Sequence, residues 1–85
     1  MTGTEPDESV GVVLSTYEPG AHADMSPVPI DTVYTVYTGR LTITLVDERI
    51  ELGHLDSLFL PAGCARAVDN HTAEAASMFV IRPNS

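Results

Sequence analysis

Leu41, Ile43 and Leu45 alternate with Thr42 and Thr44, a period of two that gives a half-buried strand one apolar face. Val33 to Tyr37, Leu58 to Leu60 and Met78 to Ile81 are shorter runs of the same β-branched, aliphatic and aromatic kind. Turn signals separate such runs: Pro19-Gly20, Pro27 to Pro29, Gly39, Asp47-Glu48, Gly53, Pro61 to Gly63 and Asp69-Asn70. No segment keeps apolar residues at helical spacing through three turns. Ala73 to Ala76 favours helix by composition but is too short to stand alone in water. Many short strands joined by Gly/Pro turns predict an all-β sandwich or barrel. Residues 1–8 read as a flexible tail ahead of one domain over 9–85.

Length sharpens this picture. Chains of 85 residues bury only about 60 to 65% of their unfolded surface, so the core is thin and self-association would help it. Charge then excludes partners. Twelve acids stand against four arginines, a net charge of −8. The arginines (Arg40, Arg49, Arg66, Arg82) are scattered, whereas a phosphate backbone needs clustered cations. Nucleic acid and anionic membrane surfaces are not expected partners. No apolar stretch approaches the roughly 20 residues of a membrane span. One cysteine, Cys64, allows no internal disulfide framework, and the polar, acidic stretch Met1 to Ser9 does not resemble a secretory signal. A cytoplasmic location is the expectation.

Spacing carries the chemistry. Gly20 is followed by Ser26, Val28, Thr32 and Gly39; further on, Leu55-Asp56 precedes Pro61, Gly63, Arg66 and Asn70. This order resembles the two motifs of the small cupins, G-x5-H-x-H-x3-E-x6-G and G-x5-P-x-G-x2-H-x3-N, over about residues 10 to 82. The resemblance implies a small cupin-like jelly-roll β-barrel, a homodimer paired through edge strands, and a divalent metal held by three histidines and a glutamate. Those four positions here are Ser26, Val28, Thr32 and Arg66. Valine offers no lone pair, arginine is a permanent cation, and two hydroxyls alone are poor ligands for iron, manganese or zinc. No metal and no cofactor is therefore expected at the family positions, and the dioxygenase chemistry that the family would suggest falls with them. His22, His54, His71 and Cys64 could assemble a metal elsewhere, but none of their spacings is a metal motif.

Residues two apart on a strand share a face. If Ser26 and Val28 point inward, His22 and Asp24 follow them unless the prolines at 27 and 29 set a bulge. Tyr34 follows Thr32 inward, and Cys64 flanks Arg66. A barrel lined by His22, Asp24, Ser26, Thr32, Tyr34, Cys64 and Arg66 among aliphatic walls is the usual form of a small-molecule site. Arg66 would anchor a ligand anion, or else pair with Asp24 or another acid, or swing out to solvent. His22 or Asp24 would move a proton and Tyr34 would stabilise an oxyanion. Two functions follow: a metal-independent isomerase, cyclase or dehydratase acting on a small anionic metabolite, or a non-catalytic binder or partner subunit. Tyr17, Tyr34, Tyr37, Phe59 and Phe79 are expected in the core rather than as a stacking platform, given the acidic composition.

Overall fold

The computed structural model describes residues 10–83; the stretch read as a tail, 1–8, lies outside them. Eight strands follow one another: β1 (Val10–Tyr17), β2 (His22–Pro27), β3 (Thr32–Thr38), β4 (Leu41–Thr44), β5 (Arg49–Leu52), β6 (Ser57–Leu60), β7 (Ala65–Asp69) and β8 (Ala76–Pro83). They form two four-stranded sheets, ordered β1-β8-β3-β6 and β2-β7-β4-β5, and every strand pair is antiparallel. None of the described residues forms a helix, and Ala73 to Ala75 is loop.

The alternating segment around Leu41 becomes β4, with Leu41 and Ile43 buried. The other three predicted runs become β3, β6 and β8. In β3 the pattern is strict: Thr32, Tyr34 and Val36 are buried, while Val33, Thr35 and Tyr37 face outward. The core joins Val36, Tyr34, Ala76 and Met78 of the first sheet to Leu41, Ile43, Leu52 and Val68 of the second. The core thus lies between the inner faces of the two sheets.

Two turns show the chain's constraints. A Cβ on Gly39 (φ 78°) would sit 2.7 Å from the Ala76 Cβ and 2.9 Å from the Ala75 carbonyl, so only glycine lets β3 turn into β4 this close to β8. Leu55 takes φ 66°, a conformation glycine adopts freely and other residues at a cost of about 1–2 kcal/mol. Leu55 stands where the cupin motif carries glycine.

Candidate functional site

Arg66, on β7, points into the space between the sheets beside its cross-strand partner Ser26. Its guanidinium is held by neutral oxygens. Nε donates to the Tyr34 hydroxyl (2.6 Å), and Nη1 donates to Ser26 Oγ (3.1 Å) and to the Asp24 main-chain carbonyl (3.2 Å). Among the described residues no carboxylate lies within ion-pair distance of it; the ion pairs are His22–Asp24 and Arg40–Glu51. Nη2 makes no hydrogen bond to a described residue. The Tyr34 oxygen accepts from Arg66, which leaves the phenol proton free to be donated.

Solvent reaches this region. Val13 shares the inner face of the first sheet, paired to Val80, which pairs to Tyr34, yet it is 57% exposed. Ser26 is exposed, and Arg66, Ser15, Val80 and Leu58 are part-exposed. Tyr17 joins the group from β1, packed against the core cluster. Burial pushes its phenol above the ordinary value of 10.0, the Tyr34 phenol adds to the rise, and the Arg66 guanidinium pulls part of it back. Tyr17 and Tyr34 meet the core as expected, whereas Tyr37 and Phe59, expected there too, are 48% and 57% exposed because they stand on the outward parity of their strands; the closeness of Tyr17 to Tyr34 and Arg66 was not legible, because strand alternation gives a face and not a depth. A second guanidinium lies on the same inner face: Arg82, two positions beyond Val80, has a buried Nε with no partner among the described residues.

Two predicted residues are not in this lumen. Ala23, not His22, faces the core, paired to fully buried Val68. A register shift between Ala23 and Ser26 then breaks the alternation that would have carried Ser26's direction back to His22. The side chains of His22 and Asp24 lie outside, 60% and 92% exposed, and touch each other at 3.2 Å. Asp24 reaches Arg66 only through its backbone oxygen, because the bulge turns its carboxylate away.

The remaining predicted residues are inside but already engaged. Thr32 is fully buried, and its hydroxyl donates to the Ile30 carbonyl at 2.8 Å. Cys64 packs against the apolar cluster. Its backbone ties Val28 to the loop, the Val28 N–H donating to the Cys64 carbonyl at 3.0 Å. Val28 is itself core. The four positions at which cupins bind metal are thus a hydroxyl spent on an arginine, a buried valine, a hydroxyl spent on a carbonyl, and a guanidinium. This donor set does not fit a divalent ion. His54 sits in the turn after β5, its ring Nδ1 donating to the Tyr37 carbonyl, and His71 lies in the β7–β8 loop. Among the described residues no three His, Cys, Asp or Glu side chains gather as a metal set, and no helix is long and apolar enough to cross a membrane.

Asn70, the last motif residue, is structural. It is buried, donates to the Tyr17 and Glu74 carbonyls (2.9 and 2.8 Å), and accepts from Thr72 N–H and hydroxyl.

Comparison with known proteins follows the same lines. No family model matches the chain. Over 73 residues it is 38% identical to a Mycobacterium tuberculosis protein named beta-D-galactosidase, covering 86% of this chain and 63% of that protein's length. The chain therefore spans less than two thirds of this relative. Among solved structures, a cupin superfamily protein of Desulfitobacterium hafniense superposes with a TM-score of 0.81 at 23% identity, over 95% of this chain and 72% of the other. A cupin 2 conserved barrel domain protein of Salinispora arenicola gives 0.85 at 19%, over 100% and 71%. A sugar phosphate isomerase from a cupin superfamily, of Silicibacter pomeroyi, gives 0.80 at 23%, over 92% and 52%. The chain has the small cupin jelly-roll fold.

Proposed function

We propose that this chain binds a small anionic metabolite, in particular an acidic sugar, between its sheets at Arg66, without a metal. One observation carries the reading: a part-buried guanidinium held in place by Tyr34, Ser26 and the Asp24 carbonyl, with no described carboxylate against it. An arginine so placed is pre-organised and uncompensated, and a ligand carboxylate or phosphate supplies the missing charge. Arg66 Nη2 and the Tyr34 O–H are the two donors left for it, and Arg82 adds positive field from the same inner face. The sugar half of the proposal rests on the name of the 38%-identical relative.

Binding is favoured over turnover because the acid/base pair His22–Asp24 lies outside the lumen. Proton transfer inside would fall to Tyr34 and Tyr17. Glycoside hydrolysis, which that relative's name suggests, ordinarily needs two carboxyl groups flanking one bond. Several described acids stand elsewhere: Asp31 accepts from Ala62 N–H, Asp56 from Gly53 N–H, Glu51 pairs with Arg40, and Asp24 is in solvent.

Titration calorimetry with galacturonate and with neutral galactose, each with and without EDTA, tests the proposal. Galacturonate should bind at least 10-fold tighter than galactose, EDTA should change nothing, and Arg66→Gln should remove the preference. Equal affinity for the two sugars, loss of binding on chelation, or an unchanged preference in Arg66→Gln would overturn it.

A further inference from the structure

A cleft of about 370 Å³ lies beyond the end of β7 farthest from Arg66. Its lining comes from two connections: Gly39 and Arg40 of the β3–β4 turn, and Thr72, Ala73 and Glu74 of the β7–β8 loop. The volume falls within the range of small-molecule sites, about 300–1,000 Å³.

Both connections are fixed by the fold. Buried Asn70 donates to the Glu74 carbonyl and accepts from the Thr72 N–H, at 2.8 and 2.9 Å. The Glu74 N–H in turn donates to Thr72 Oγ1 at 3.3 Å. The opposite turn is pinned at Gly39, whose positive φ and closeness to Ala76 admit no side chain. Walls already ordered spare a guest the cost of ordering them.

Charge is the informative feature. Arg40 and Glu74 line the same cleft, yet they are not among the ion pairs of the described residues. The carboxylate that Arg40 does meet is that of Glu51, on β5, at 3.5 Å, with both side chains about 60% exposed. Exposed pairs of this kind contribute little, and a guanidinium has five N–H groups to share. The Glu74 backbone is spent inside the loop, while no described cation lies within ion-pair distance of its carboxylate.

A cation and a carboxylate held apart across a cleft complement a molecule that carries the reverse pair. A simple anion would meet Glu74 and Glu51 as well as a chain of net charge −8, and a simple cation would meet Arg40. Gly39 and Ala73 add little apolar wall, so the two charged ends carry recognition. We propose that this cleft binds a small zwitterion of the α-amino-acid class, its carboxylate on the Arg40 guanidinium and its ammonium on the Glu74 carboxylate. Occupancy here is independent of the lumen and of what binds Arg66.

Proton–nitrogen correlation NMR tests the proposal, with glycine titrated to 50 mM as the probe and acetate and methylamine as carriers of one charge each. Glycine should give saturable shifts centred on Gly39, Arg40, Thr72, Ala73 and Glu74, with a dissociation constant at least 10-fold below that of acetate or methylamine. Arg40→Gln and Glu74→Gln should each raise this constant at least 10-fold, the scale of one lost charge-assisted contact. Arg66→Gln should leave it unchanged. Acetate binding as tightly as glycine, no saturable shift at 50 mM glycine, shifts centred elsewhere, an unchanged constant in Glu74→Gln, or weakening by Arg66→Gln would overturn the proposal. Should either cleft variant unfold, glycinamide, which lacks the carboxylate, must bind the wild type at least 10-fold more weakly than glycine.

Discussion

The space between the sheets has two halves of opposite character. Toward Leu41, Ile43, Val68, Val36, Ala76 and Met78 it is filled, every one of these side chains being at most 1% exposed. Toward Arg66 it is wet: Val13 is more than half exposed although it faces inward, and Ser26, Ser15 and Val80 see solvent. One inner surface thus does two tasks, and the division follows residue type. Aliphatic side chains from both sheets interdigitate and exclude water. In the other half the Arg66 guanidinium and the Tyr17 ring are part-exposed and Ser26 is exposed, beside a Tyr34 ring that is itself 2% exposed.

The largest test of this contrast removes apolar volume from each half. Ile43→Ala in the filled half should lower unfolding free energy by about 2–5 kcal/mol, the range for large-to-small core changes. Val13→Ala in the wet half should cost less than about 1 kcal/mol. Urea denaturation reads both, and similar costs would erase the distinction.

A smaller effect probes the turn that leads out of the filled half. Leu55→Gly relieves a positive φ on an exposed side chain and should raise stability by about 1 kcal/mol despite the added backbone freedom of the unfolded chain. No gain would mean that the turn carries no strain.

The smallest concerns protons in the wet half. The folded chain holds the Tyr17 proton more tightly than an unfolded chain whose tyrosine titrates near 10.0. This contribution is complete below pH 10 and is lost as pH climbs through the raised folded value. Tyr17→Phe should flatten the decline of the urea midpoint above pH 10, and an unchanged slope would place the phenol in open water.

Legibility in the sequence followed the same division. The four segments with visible apolar patterning all became strands, and Leu41 and Ile43 are core as their alternation required. Strands β1, β2, β5 and β7 had no such patterning read for them: His22–Pro27, for one, holds one alanine and one methionine among polar residues, and its pleat is interrupted. That interruption is also why His22 and Asp24 were placed in the wrong space, since parity propagates only along an unbroken ladder. Arg66 faces inward because it sits on the uninterrupted strand β7, two positions from buried Val68. What no pattern could supply was its set of partners, which come from β2 and β3, forty and thirty-two residues away in sequence.

Those partners lie in different sheets: Tyr34 belongs to one, Ser26 and the Asp24 carbonyl to the other. Arg66 is consequently a rivet through the sandwich as well as a docking point: Nε stitches the layers together at Tyr34, while Nη2 on the same rigid plane stays open to a guest.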